Sequence, residues 1–83
     1  MNFADLIVHV RNRTAEAYQS NDEPRLKRLF TTLYDIADAI EASGDWMYWE
    51  VVDDLIDSIR HIGIADFKVH IPTEEDIRCI QPK

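Results

Sequence analysis

The stretch Asp45-Trp46-Met47-Tyr48-Trp49-Glu50-Val51-Val52-Asp53-Asp54-Leu55-Ile56-Asp57-Ser58-Ile59-Arg60-His61-Ile62 carries two patterns at once. At ~100° per residue, Tyr48, Val52, Leu55, Ile56, Ile59 and Ile62 share one side of a helix, while Glu50, Asp53, Asp54 and Asp57 share the other. One face suits a packed core and the opposite face is a row of carboxylates. Trp46 projects at nearly the angle of Glu50, Asp53 and Asp57, so a large aromatic heads the acidic row instead of entering the core.

The flanking sequence supplies two further helices. Upstream, Ser43-Gly44-Asp45 reads as a short joint: Gly44 suits the left-handed residue after a helix, and Asp45 the next N-cap. The preceding helix is expected over residues 23–42, with Leu26, Leu29, Phe30, Leu33, Ala37 and Ile40 as its apolar stripe. So short a joint makes the two an antiparallel hairpin. Before it, Ser20-Asn21-Asp22-Glu23-Pro24 breaks the chain and restarts it, proline being tolerated in a first helical turn. A first helix over residues 3–19 is capped by Asn2 and buries Phe3, Leu6, Ile7, Val10, Thr14, Ala17 and Tyr18. Val8, His9 and Arg11 fall outside that stripe.

Downstream, Gly63 closes the third helix, and residues 65–71 alternate in the two-residue period of a strand, with Phe67, Val69 and Ile71 on one side. Pro72 stops this segment. Thr73-Glu74-Glu75-Asp76 has the form of a capping box and starts a short final helical turn. The expected fold class is mainly α: a small three-helix bundle with a C-terminal extended or strand segment and a terminal helical turn, in a single domain spanning residues 1–83. A lone strand needs a partner for its backbone groups, so either the segment lies as extended chain over the helices, or Phe67, Val69 and Ile71 pair with a second copy in a homodimeric regulatory or structural module, or they offer an edge to another protein.

The composition narrows the class. Eighty-three residues with 46% hydrophobic content and two glycines are those of one compact unit rather than a disordered chain. A single cysteine, Cys79, excludes an internal disulfide and any cysteine-built zinc site. No apolar run approaches the ~20 residues of a membrane span, and Asp5 and His9 interrupt the N-terminal apolar residues, so a soluble cytoplasmic protein is expected.

Charge placement is more informative than the net charge of −7. Asp35, Asp38, Glu41, Asp45, Glu50, Asp53, Asp54 and Asp57 occupy one 23-residue stretch that contains no lysine or arginine. The rest of the chain is close to neutral. Arg25, Lys27 and Arg28 lie near the positive end of the second helix dipole and Asp35, Asp38 and Glu41 near the negative end, which costs a few tenths to ~1 kcal/mol per exposed charge. A face selected for solubility alone mixes signs; this one does not. Direct binding to nucleic acid or an anionic membrane is disfavoured, and a basic protein partner fits.

The expected function is a small acidic protein-binding module that masks a basic surface of a partner, with Trp46, Glu50, Asp53, Asp54 and Asp57 and the adjoining Asp35, Asp38 and Glu41 as contact residues. Carboxylates repeated every ~5.4 Å could imitate a phosphate backbone, so the masked surface could be a nucleic-acid-binding one. In general character the chain resembles the small acidic inhibitors carried by phages and other mobile elements. The positive cluster of Arg25, Lys27 and Arg28, with Arg11 and Arg13, complements the acidic corner of a second copy and supplies a route to self-association.

An enzyme is the rival reading. Glu50-x-x-Asp53 is similar to one half of the pattern of all-helical nucleotide pyrophosphatases, which implies carboxylates on neighbouring helices holding Mg²⁺ against a nucleotide phosphate. That family carries glutamates on the preceding helix where this chain has Asp35 and Asp38, both directed away from the core stripe. His9, His61, His70 and Cys79 are spread over separate elements, and no glycine-rich phosphate loop or zinc spacing is present. No catalytic residue, metal or cofactor is expected.

Overall fold

The computed structural model describes residues 3–61 and 71–80. Helix α1 spans Phe3–Gln19, α2 spans Glu23–Ser43, a single 3₁₀ turn covers Trp46–Tyr48, α3 spans Trp49–Arg60 and α4 spans Glu74–Arg78. The described residues contain no strand. The strand expected over residues 65–71 lies outside the described residues except at Ile71, since residues 62–70, Phe67 and Val69 among them, are not described. Ile71 is described, lies in irregular chain and packs half-buried against the core of its own molecule.

Local chemistry sets the helix ends. Asp22 accepts the Arg25 amide at 3.2 Å and Pro24 occupies the first turn, so α2 starts where two of its orphan donors are removed or satisfied. Gly44 adopts φ +78° and donates its amide to Ile40 at 2.9 Å, the left-handed C-cap that a side chain would strain. Thr73 and Asp76 complete a reciprocal capping box on α4. Asp45 does not cap α3. Its carboxylate instead accepts the Ser43 hydroxyl at 2.8 Å, and the chain enters α3 through the 3₁₀ turn.

Helix α2 lies between α1 and α3, packing on both. Leu26, Leu33 and Ile40 of α2, each essentially inaccessible to solvent, repeat every seven residues along its inner face. Val52, Leu55, Ile56 and Ile59 of α3 and Ile7, Val10 and Ala17 of α1 meet them. Burying side chains of this size contributes about 1.5–3 kcal/mol each. Tyr48 is buried as its phase predicts; Val51 and Ser58 are buried as well, so the inner face of α3 is broader than the stripe read from periodicity.

Helix α1 shows the largest departure from expectation. Val8 is buried, although it lies off the apolar stripe. Asp5, Val8 and Arg11 succeed one another at spacings of three and form a second face, and α4 covers it. Arg78 of α4 donates to Asp5 at 3.1 Å, Arg11 donates to the Pro72 carbonyl at 2.8 Å, and Ile77 is fully buried. Arg11 is thus a tether for the C-terminal segment and does not face away from the protein. His9 is exposed, as expected.

The interior holds two polar side chains among the described residues. Thr14 and Ser58 are buried with their hydroxyls donating back to Val10 at 2.8 Å and Asp54 at 2.9 Å. Tyr18 of α1 donates its hydroxyl to the Ser58 carbonyl, tying α1 to α3. Burial raises the Tyr18 pKa above its ordinary value of 10.0. Because the folded pKa is the higher one, this contribution to stability is complete below pH 10.0 and is lost as pH rises through the folded value. Tyr18→Phe is expected to cost about 1 kcal/mol at neutral pH and to make the alkaline decline in melting temperature shallower. Parallel alkaline limbs for the two proteins would contradict this role.

Candidate protein-binding face

The joint between α2 and α3 gathers most of the residues singled out by charge. The 3₁₀ turn contacts both helices, so the last turn of α2 and the first turn of α3 stand at the same end of an antiparallel hairpin. Glu41 and Asp38 lie on the α2 side of this end and Glu50 and Asp53 on the α3 side, all exposed. Asp35 is exposed one turn further along α2. Among the described residues, none of these five carboxylates has a lysine or arginine within 4.0 Å.

Asp54 and Asp57 do not belong with them. Both are half-buried, and Asp57 pairs with Arg60 at 3.7 Å, three residues on. Arg60 also donates to the Tyr34 hydroxyl at 3.0 Å across the hairpin. The acidic row of α3 is therefore neutralised at its C-terminal end and open at its N-terminal end. A cation placed just beyond the acidic stretch reaches back into it.

Trp46 sits in the 3₁₀ turn at the joint and is 55% exposed. Its indole packs against that of Trp49, 41% exposed, with ring centroids 5.7 Å apart at 60°. Trp49 was not among the residues expected to contribute. Its signal is present in the sequence, because it is the second large aromatic outside the apolar stripe and precedes Asp53 by one helical turn. The two indoles form an apolar platform with Glu41 and Glu50 on either side of the joint that carries it.

The arrangement can attract a cationic surface and then desolvate it. Carboxylates with no cation beside them among the described residues attract an incoming lysine or arginine, and an indole face binds the same cations through its quadrupole. Aromatics flanked by complementary charge are the residue types that dominate binding energy at protein interfaces.

The other clusters are accounted for within the molecule. Arg13 and Arg25 pair with Glu16 at 3.4 and 3.9 Å, and Arg25 also with Asp22 at 3.5 Å, so most of the positive cluster is engaged internally. No three of the histidine, cysteine, aspartate and glutamate side chains among the described residues come close enough together to hold a metal ion, Asp35, Asp38, Glu50 and Asp53 included. No described helix is long and apolar enough to cross a membrane. Compared with known proteins, the chain matches no family model, no curated protein and no solved structure.

Proposed function

We propose that this protein is a binding module that captures a basic protein surface through the Trp46–Trp49 platform and the surrounding carboxylates Asp38, Glu41, Glu50 and Asp53, with Asp35 extending the field along α2. By covering that surface it acts as an inhibitor or regulator of whatever the partner would otherwise bind there, a nucleic acid being the ligand such a basic surface would suit. The observation that supports this reading is the coincidence of two exposed, mutually packed tryptophans with carboxylates that have no cation of their own among the described residues. Each feature separately is ordinary surface; together they leave two indoles exposed to water and set Asp38 and Glu41 against the negative end of α2, which a passive face would not accumulate.

Affinity capture from the lysate of the native host tests the reading. The wild-type chain is expected to retain a basic protein at low salt and to release most of it near ~1 M salt, where the Debye length falls to ~3 Å. Trp46→Ala/Trp49→Ala is expected to lose that protein while keeping its helical spectrum. Equal retention by the two chains, or retention indifferent to salt, would remove the basis for the proposal.

A further inference from the structure

The opposite end of the same hairpin holds a groove of about 530 Å³ lined by Glu23, Leu26, Lys27, Phe30, Ile59 and Arg60. Its floor is apolar: Leu26 and Ile59 belong to the core and Phe30 is half-buried, edge-on to Tyr34 at 4.8 Å. Its rim carries two cations and one acid, Glu23. Lys27 is exposed with no carboxylate within 4.0 Å among the described residues, and Arg60, which pairs with Asp57 at 3.7 Å, stands across from it on α3. An apolar floor under cations is the complement of the tryptophans among carboxylates at the joint.

The geometry of α3 places the two features in register. Trp49 and Arg60 bound a regular helix and are eleven positions apart, which is within ~20° of three full turns at ~100° per residue. They therefore project along one strip of α3, ~16 Å from each other at ~1.5 Å per residue. A two-fold axis across the middle of this strip exchanges its ends, which is the self-complementarity that an isologous interface requires.

We propose that two copies of this chain pair across the α2–α3 hairpin, the Trp46–Trp49 pair of each copy entering the Lys27–Arg60 groove of the other. The indoles lie against Leu26, Phe30 and Ile59, and the carboxylates beside the joint come opposite the groove cations. Those charge contacts offset part of the repulsion between two chains of net charge −7. The tryptophans, about half exposed in each copy, and the groove walls that receive them bury a total on the order of 800 Å², which is the size of a transient contact. The pair exchanges rapidly with monomer. The pairing stands apart from the proposed function, but one consequence rests on it: each copy in the pair covers the platform that would capture the basic partner, so self-association and capture exclude each other.

Sedimentation equilibrium of the full chain from ~1 µM to ~1 mM tests this, with an expected monomer–dimer constant of ~10–100 µM, weaker than the micromolar limit of interfaces about twice its size. Lys27→Glu, an exposed change remote from the joint, is expected to weaken the dimer at least ten-fold and to leave helicity and partner capture intact. Trp46→Ala/Trp49→Ala is expected to weaken it as much. An equimolar mixture of the two variants restores one intact contact per pair and should associate more strongly than either alone. A chain monomeric at ~1 mM overturns the inference, as does a dimer insensitive to both variants, which is what pairing through residues 66–71 would give. Variants that weaken the dimer but fail to complement one another overturn the reciprocal arrangement. Because Lys27 lies outside the proposed binding face, Lys27→Glu separates the two readings: the dimer can fail while capture persists, and capture can fail while the dimer persists.

Discussion

Leu55→Ala is expected to remove about 3 kcal/mol of stability and to be the most damaging single truncation on α3. Leu55 has no solvent exposure and lies in the face that α3 packs against α2. Removing three of its carbons forfeits their transfer free energy and leaves a void that fixed helices close only in part, which gives 2–5 kcal/mol across comparable sites. A chain of this length has a total stability of only ~4–12 kcal/mol at 0.05–0.15 kcal/mol per residue. The substitution therefore takes a large share of it, and the melting temperature should fall by ~12–24 °C at ~4–8 °C per kcal/mol. Thermal melts followed by circular dichroism check this. A fall under ~4 °C would mean that α3 is not seated on α2 as described.

The contrast with the acidic stretch explains why the helices were legible in the sequence. Leu26, Leu33 and Ile40 repeat with the helical period, and Gly44 and the Thr73–Asp76 box are local signals that need no knowledge of the rest of the fold. Val8 was not legible. Its burial depends on where α4 docks, and that docking is made by Arg78 and Ile77, some seventy positions away in the chain.

The start of α3 failed for a local reason with a tertiary consequence. Asp45 looks like an N-cap, but Ser43 takes its carboxylate, and the chain makes a 3₁₀ turn before the α-helix begins. A 3₁₀ turn advances ~120° per residue instead of ~100°, so a wheel drawn from Trp46 loses phase before Trp49. Trp46 is exposed all the same, and its ring packs on that of Trp49. Arg60 lies beyond the cation-free run from Asp35 to Asp57, yet it stands three residues after Asp57 and pairs back across one turn.

Glu41→Lys combined with Asp53→Lys carries the second large effect, and it separates function from stability by sign. Glu41 lies in the last turn of α2, a helix with an acid and no base at its negative end. Replacing it with lysine turns an unfavourable dipole interaction into a favourable one, worth ~0.3–1 kcal/mol for each of the two changes it makes. Asp53 is exposed beyond the first turn of α3, where a surface substitution stays within ~0.5 kcal/mol. The variant should fold at least as stably as the parent, with a melting temperature raised by a few degrees.

Binding should move the other way. Two attractive charges become two repulsive ones beside the tryptophan platform, and a like charge set against a basic surface costs several kcal/mol. Loss of at least ~100-fold in affinity corresponds to ~2.8 kcal/mol. If the acids at this corner were only solubilising, their reversal would improve the protein without penalty, as surface-charge optimisation ordinarily does.

The direct measurement is the melting temperature and the partner affinity of Glu41→Lys/Asp53→Lys side by side with the wild-type chain, the partner being the basic protein captured from the host lysate. The account predicts a higher melting temperature and binding reduced at least ~100-fold. A more stable variant that binds the same partner with undiminished affinity would contradict it.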